Sequence, residues 1–310
     1  ELLKKYSEEE IHLTGLYYKN DKTGKFIDRF NSRIIFPVNN ITGDTIAYGG
    51  RIIRESKLAK YINSPETEFY KKGNMIFNLD KAKQTRSETN EVLIVEGYMD
   101  VVSVYSSGLK NVIANSGTAL TERQIELIWK FFPSPIICLD GDESGQKAAI
   151  RIAEKLFPLI NEKNKIFFSL MPDGLDPDDF IKKKGKDGLF NLLKEKEIIQ
   201  SFIWSHNLSK IDKSNPFEVS KFEKEIKKII YSIRDETLKK ITVSNKALLD
   251  CEQISQGTFS PLTGFMDSET VDNVLNKNRL LDGTVWPIPI LLNIPDRELN
   301  NNAVGDTVAL

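Results

Sequence analysis

The segment Glu91-Val-Leu-Ile-Val-Glu-Gly97 is the clearest indication of the fold, because a short apolar run ends abruptly in a carboxylate and a glycine. The same pattern recurs at Pro135-Ile-Ile-Cys-Leu-Asp-Gly-Asp142. Continuous apolar runs of this length are typical of strands that are buried on both faces of a sheet. A helix-like pattern follows each turn. Both segments therefore predict a strand, an acidic turn and then a helix.

This alternation extends over residues 91–187 and predicts an α/β fold. The predicted strands are Glu91–Val95, Asn111–Ala114, Pro135–Leu139 and Lys165–Leu170, and the predicted helices are Tyr98–Ser107, Glu122–Phe132 and Glu143–Leu159. Such alternation indicates a mainly parallel sheet with helices on both faces. The capping box Thr121-Glu-Arg-Gln124 fixes the start of the middle helix.

The acidic turns predict a metal site. In open α/β sheets ligands bind beyond the carboxyl ends of the strands, where Glu96, Asp140 and Asp142 would lie. A third acidic turn would bring Asp176 and Asp178 to the same edge. Converging carboxylates repel one another unless a cation lies between them, and Mg²⁺ prefers carboxylate, water and phosphate oxygens. Ordinary turn chemistry is the alternative, since Asp-Gly is common in turns.

A basic segment precedes these turns. Residues 51–83 carry eight basic and four acidic side chains. Basic residues interleaved with aromatics can hold phosphates while the rings stack on bases; a solvated surface is the alternative. Before this segment, Arg33–Pro37 and Thr45–Arg51 predict a hairpin, in which Gly49 and Gly50 indicate a bulge or a close backbone approach.

The character of the chain changes near Lys240. Residues 188–240 read as helices, around Leu189–Trp204 and Pro216–Ile230. Residues 241–310 contain four basic and nine acidic residues, which leaves 39 basic and 35 acidic residues in 1–240. Short segments punctuated by proline and glycine replace the helical pattern. The change predicts two pieces of different origin.

Composition excludes several classes of protein. The chain has 310 residues, 40% of them hydrophobic and 28% charged, which fits two or three globular domains. Two cysteines and two histidines are too few for the usual zinc site, so we expect no zinc. The sequence has no apolar run of the roughly 20 residues that cross a membrane and no signal-peptide pattern, which predicts a cytoplasmic location.

Four motifs carry a resemblance to a known family. They are Val95-Glu-Gly-Tyr-Met-Asp100, Asn115-Ser-Gly-Thr-Ala-Leu-Thr121, Leu139-Asp-Gly-Asp-Glu-Ser-Gly145 and Pro172-Asp-Gly-Leu-Asp-Pro-Asp178. Together they resemble the Toprim core of bacterial DnaG-type primases. Upstream, Arg33–Pro37, Gly49-Gly-Arg51 and Tyr61-Ile-Asn-Ser-Pro-Glu-Thr67 resemble the N-terminal subdomain of the same polymerase region.

The resemblance implies a DNA primase catalytic core, a nucleotidyltransferase that makes short RNA primers on single-stranded DNA from ribonucleoside triphosphates. It implies catalytic roles for Glu96, Asp140 and Asp142. It implies a Mg²⁺ or Mn²⁺ site formed by Glu96, Asp100, Asp140, Asp142, Asp176 and Asp178. It places Arg51, Lys60, Tyr61, Asn63 and Lys72 where the family engages nucleotide and template. DNA cleavage by a Toprim site, or a catalytically inactive nucleic-acid-binding fragment or fusion, are the alternatives.

A second resemblance covers the C-terminal part. The segments Leu249–Met266 and Leu281–Ile290 resemble the N-terminal PUA-like domain of ATP sulfurylases. The catalytic Q-T-R-N-P and H-x-x-H motifs of that family are missing from the sequence, so we do not expect ATP sulfurylase activity. A natural fusion, a rearrangement and an assembly error all remain open for the junction near Lys240.

The expected organisation has four parts. A truncated, basic, mixed α+β N-terminal subdomain spans residues 1–84, the Toprim parallel-sheet core 85–187, a helical subdomain 188–240 and a partial, β-rich PUA-like tail 241–310. The chain begins without a methionine, and we expect the zinc-binding domain and the helicase-docking region of the primase family to be missing from it. The replicative helicase is therefore a partner of the family whose docking region we do not expect here.

Overall fold

The computed structural model describes residues 4–54, 57–115, 119–172, 174–212, 215–239, 268–277 and 279–281. The chain divides into two compact units, Glu1–His206 and Asn207–Leu310. Most of the predicted β-rich tail at 241–310 lies outside the described residues. Within the described ranges, none of the helices combines the length and the apolar character needed to cross a membrane.

The first unit begins with a short helix and two small antiparallel sheets. Helix α1 (Glu8–Leu13) precedes a two-stranded sheet of β1 (Tyr17–Lys19) and β2 (Phe26–Asp28), and a three-stranded sheet follows in the order β3 (Arg33–Asn39), β4 (Thr45–Ile52), β5 (Tyr61–Asn63). The predicted hairpin is therefore confirmed. Its register shift lies between Val38 and Asn39, and not at Gly49 or Gly50.

A short helical connection leads to the main sheet. It consists of a 3₁₀ turn (Lys72–Asn74), helix α2 (Leu79–Ala82) and a second 3₁₀ turn (Lys83–Thr85). The buried side chain of Asn78 donates to the Val112 carbonyl over 2.8 Å, and Phe77 forms a bridge with Ala114. These contacts join the connection to the edge of the main sheet.

The main sheet has five strands in the order β10–β9–β8–β6–β7. Its elements are β6 (Leu93–Val95), α3 (Tyr98–Ser106), β7 (Val112–Ala114), α4 (Glu122–Trp129), β8 (Ile136–Leu139), α5 (Glu143–Leu156), a 3₁₀ turn (Phe157–Leu159), β9 (Phe167–Leu170), α6 (Pro177–Lys194) and β10 (Glu197–Ile198). Strands β6 to β9 are parallel, as predicted, and β10 pairs antiparallel with β9. Both faces of β6, β7 and β8 are buried, which explains their continuous apolar runs.

The prediction of a helical stretch around Leu189–Trp204 is wrong in its middle. Helix α6 ends at Lys194, strand β10 occupies two residues, and α7 (Ile199–Leu208) then begins. Leu189 belongs to the buried core of the main sheet, and Phe202 of α7 stacks on Phe168 of β9 with ring centroids 4.4 Å apart. The apolar residues of this stretch are therefore divided among two helices and an edge strand.

The described part of the second unit contains two longer helices. The predicted helix over Pro216–Ile230 is confirmed as α8 (Pro216–Tyr231), whose N-terminus is capped by Asn215. Helix α9 (Ser268–Lys277) lies within the predicted tail, and the Asn273 side chain donates to the Leu280 carbonyl over 3.0 Å.

Candidate active site

Six carboxylates lie at the carboxyl edge of the main sheet, and we call them the acidic cluster: Glu96, Asp100, Asp140, Asp142, Asp176 and Asp178. Glu96 follows β6, Asp140 and Asp142 follow β8, and Asp176 follows the turn after β9. These three strands are neighbours in the sheet. Parallel strands end at the same edge, which is why distant parts of the chain bring their acidic turns together.

The carboxylates influence one another strongly. The Asp140 amide donates to Glu96 Oε1 over 3.2 Å, which links the turns after β8 and β6. Burial, followed by the charges of Glu96, Asp100 and Asp176, raises the pKa of Asp140 to about 7. Burial also raises the pKa of Asp100 to about 6, against the opposing effect of the Gly97 amide that hydrogen-bonds to it. Both pKa values rise because burial and the neighbouring negative charges disfavour the ionised form of the carboxyl group.

Several oxygens of the acidic cluster are already hydrogen-bonded. Asp142 accepts from the Gly145 amide over 2.7 Å and caps α5, and Asp176 caps α6 in the same way. Asp178 Oδ2 lies 2.7 Å from the Lys182 ammonium. Asp140 differs, because its Oδ1 is buried and has no hydrogen-bond partner. A buried acceptor of this kind is costly unless another group satisfies it.

The hydrogen bonds and the ion pair of these carboxylates affect how the acidic cluster could bind a metal ion. Among the residues that the structure describes, no three His, Cys, Asp or Glu side chains are placed so that they could hold a metal ion. Asp142 and Asp176 each use an oxygen to cap a helix, and Asp178 faces Lys182. The donor chemistry nevertheless suits a hard cation, since these carboxylates are close enough to raise the pKa of Asp100 and Asp140, and Asp140 Oδ1 lacks a hydrogen-bond partner.

A cationic and aromatic surface lies next to the acidic cluster. Arg51 of β4 and Lys60 lie over the ring of Tyr61 in β5, with Cζ and Nζ 5.7 Å and 5.9 Å from the ring centroid. Burial raises the pKa of Tyr61, Arg51 lowers it, and the charges of Asp100 and Asp178 raise it further. The phenol therefore lies within electrostatic reach of the acidic cluster.

The other two predicted binding residues lie differently. Asn63, in β5, accepts a hydrogen bond from the Tyr98 hydroxyl through its Oδ1 over 2.7 Å. Lys72 lies in the 3₁₀ turn, where its carbonyl accepts from the buried Gln124 side chain over 3.1 Å. Within the described ranges, the Lys72 side chain makes no hydrogen bond or ion pair with the acidic cluster.

The structure adds three residues that the sequence did not indicate: Tyr98, Ser103 and Lys182. Partial burial raises the pKa of Asp178, but hydrogen bonds from Lys182 and Ser103 lower it below its ordinary value. Lys182 lies four residues after Asp178 on α6, a spacing that predicts an ion pair on a helix. The partners of Tyr98 and Ser103 come from distant segments, so no local pattern could have revealed them.

Three family models match the chain. A model described as "DNA primase catalytic core, N-terminal domain" matches residues 2–83, and one described as "Toprim-like" matches residues 93–181. A model described as "PUA-like domain" matches residues 219–310. This match begins before the predicted junction near Lys240. The similarity to ATP sulfurylases in particular stays a prediction.

Individual proteins give the same picture. The DNA primase of Pseudomonas aeruginosa is 39% identical over 173 residues, which cover 56% of this chain and 26% of that protein. The chain spans from about a quarter to two fifths of the length of the curated primases it matches.

The chain covers a larger share of the solved structures that it matches. The Escherichia coli primase catalytic core matches with a TM-score of 0.72 and 31% identity, covering 79% of each chain. A DnaG primase catalytic domain bound to single-stranded DNA matches with a TM-score of 0.72 and 30% identity, over 78% of this chain and 76% of that one. These similarities in sequence and in fold show that the chain belongs to the DnaG-type primase family.

Proposed function

We propose that the chain is the catalytic core of a DNA primase, a nucleotidyltransferase that joins ribonucleotides into short primers on single-stranded DNA. The observation that carries this proposal is the acidic cluster, with the unsatisfied Asp140 Oδ1 at its centre and Arg51 and Tyr61 beside it. Negative groups that hold metal and positive groups that hold triphosphate are both required for phosphoryl transfer.

The proposed cofactor is a divalent metal. Toprim primase cores are metal-dependent, and we assign Mg²⁺ or Mn²⁺ to the acidic cluster. A metal bound there would neutralise triphosphate charge and favour ionisation of the attacking 3′-hydroxyl. A cation would also satisfy Asp140 Oδ1 and offset the repulsion that raises the pKa of Asp140 and Asp100.

The residues of the chain have distinct proposed roles. Glu96, Asp140 and Asp142 form the catalytic centre, and the Asp140 amide fixes the orientation of the Glu96 carboxylate. Glu96 either ligates metal or accepts the proton of the 3′-hydroxyl. Arg51 and Lys60, over the ring of Tyr61, supply positive charge for phosphates.

Tyr61, Asn63 and Lys72 complete the proposed nucleotide and template surface. Tyr61 offers an exposed ring next to the acidic cluster, on which a base can stack. A matching relative was solved with single-stranded DNA, which supports such a template for this chain. The proposed location is the cytoplasm, where the DNA of the bacterial relatives lies.

Primer synthesis by the full chain tests the proposal. The reaction contains single-stranded DNA, the four ribonucleoside triphosphates and Mg²⁺, and the products are separated on a denaturing gel. We expect short RNA products that depend on the template and disappear with a chelator. Nicking of supercoiled DNA without RNA synthesis would identify a cleavage enzyme instead. Salt-dependent DNA binding without either reaction would identify an inactive binding fragment.

A further inference from the structure

Tyr98 connects the acidic turn after β6 to the outer strand of the three-stranded sheet. It is the first residue of α3, two residues after Glu96, and only 4% of its surface is exposed. Its hydroxyl donates to Oδ1 of Asn63 in β5 over 2.7 Å. The two residues are 35 positions apart, so this contact is a tertiary link between the two sheets.

The ring of Tyr98 is held from several sides. It stacks on Phe36 with centroids 5.2 Å apart, and Phe77 meets it edge-on at 4.7 Å. Gly49, which pairs with Asn63 across β4 and β5, provides the space for the ring. A Cβ atom at Gly49 would lie 2.5 Å from a ring carbon of Tyr98. The fit of the ring therefore fixes where the hydroxyl lies.

Strand β5 carries the residues that face the nucleotide in the proposed function. Tyr61 lies two residues before Asn63 on this strand, and both the Arg51 and Lys60 cations lie over its ring. Within the described sheet, β5 is an edge strand that pairs only with β4, over three residues. A single-sided strand of this length needs further contacts to hold its position.

We propose that Tyr98 is a positioning residue for the incoming ribonucleoside triphosphate. Its hydroxyl holds Asn63, and through it strand β5 with Tyr61, at a fixed distance from the acidic cluster. The inference rests on the proposed function, and it adds a group that acts on nucleotide binding without belonging to the acidic cluster or to the cationic surface. Tyr98 acts through Asn63 and is not itself a catalytic residue.

Substitution by phenylalanine isolates the hydroxyl, because the packed ring is kept. In Tyr98→Phe we expect the Kd for ATP with Mg²⁺, measured by equilibrium dialysis on the full chain, to rise about three- to tenfold, the usual effect of one hydrogen bond. In primer synthesis we expect KM for ribonucleotides to rise by a similar factor and kcat to change less than twofold. Tyr105→Phe is the matched control, since it makes the same change on the same helix away from Asn63, and should leave both values unchanged.

A double substitution tests whether the hydroxyl acts through Asn63. If it does, Asn63→Ala combined with Tyr98→Phe binds ATP no more weakly than Asn63→Ala alone. If the two substitutions weaken ATP binding independently, so that their effects on Kd multiply, the inference is overturned. A Tyr98→Phe protein with the wild-type Kd would also overturn it. The ATP measurement separates the two proposals. A wild-type chain that binds ATP but makes no primers refutes the proposed function and still tests Tyr98, whereas failure of the wild-type chain to bind ATP overturns both.

Discussion

Replacing Gly141 by alanine should damage the acidic cluster more than it damages the fold. Gly141 lies between Asp140 and Asp142, and its amide donates to the Leu175 carbonyl over 3.1 Å. A Cβ atom at this position would lie 2.0 Å from the Met171 carbonyl oxygen and 3.0 Å from the Gly174 nitrogen. Both neighbours are backbone atoms, so no side chain can turn aside to make room.

The size of the effect follows from this overlap. Carbon and oxygen atoms normally approach no closer than about 3.3 Å, so the two turns must separate by roughly 1 Å. Overpacking of this kind costs about 1–3 kcal/mol of folding free energy. A displacement of 1 Å at a catalytic centre can cost about 100-fold in rate. We therefore expect a folded protein whose primer synthesis is reduced on the order of 100-fold.

Urea denaturation and primer synthesis measure the two quantities on the same preparation. Gly73→Ala is the matched control, because its added Cβ would lie 3.7 Å from the Thr121 side chain, an ordinary contact. A Gly141→Ala protein with wild-type activity would show that the added Cβ atom does not displace the acidic cluster. So would a loss of activity that only parallels the loss of folded protein.

Three further predictions concern stability. Burial, then the charge of Glu96, raises the pKa of Asp140 to about 7 from 3.8; the folded protein thus binds this proton more tightly than the unfolded chain. In a buffer that contains a chelator, the melting temperature should fall as the pH rises from about 4 to 7. Asp140→Asn should reduce this dependence on pH; an unchanged dependence would contradict the raised pKa of Asp140. Gln124→Leu should lower the unfolding free energy in urea by about 2–4 kcal/mol, since the Met75 carbonyl loses the Gln124 donor and the Thr121 amide loses the Gln124 acceptor; a loss below about 1 kcal/mol would contradict it. Asn78 has a φ of 67°, so Asn78→Ala should cost about 1 kcal/mol more than Asn78→Gly, although both lose the bond to the Val112 carbonyl; equal losses would show that the backbone carries no strain.

The central sheet could be predicted because most of its strands are short, continuous apolar segments of the sequence. Strands β6 to β9 are confirmed within two residues of their predicted ends. For β6, β7 and β8 the reason is that burial on both faces demands uninterrupted apolar runs. The capping box at Thr121 is confirmed as well, because it is a purely local contact. Strand β10 was missed, because two residues are too few to show a periodic pattern.

Five carboxylates of the acidic cluster were predicted to meet because they follow strands that end at one edge of the sheet, and Asp100 was added by the family resemblance. The hydrogen bonds that their oxygens make were not predicted. Asp142 and Asp176 each cap a helix, and Asp140 is left with an unsatisfied oxygen, although all three follow strands in the same way. The contact of Tyr98 with Asn63 depends on how two separate sheets meet. Only a three-dimensional structure shows such differences, because they are set by tertiary packing.

Template-directed incorporation of labelled ribonucleotides by the wild-type chain and by Glu96→Gln tests whether the acidic cluster is the catalytic centre. Glutamine keeps the size of the side chain and removes its charge, and its oxygen can still accept from the Asp140 amide. We expect RNA synthesis by the wild-type chain and a reduction of about 100-fold or more in Glu96→Gln, with an unchanged melting temperature. Equal incorporation by the two proteins would contradict the placement of the catalytic centre at the acidic cluster.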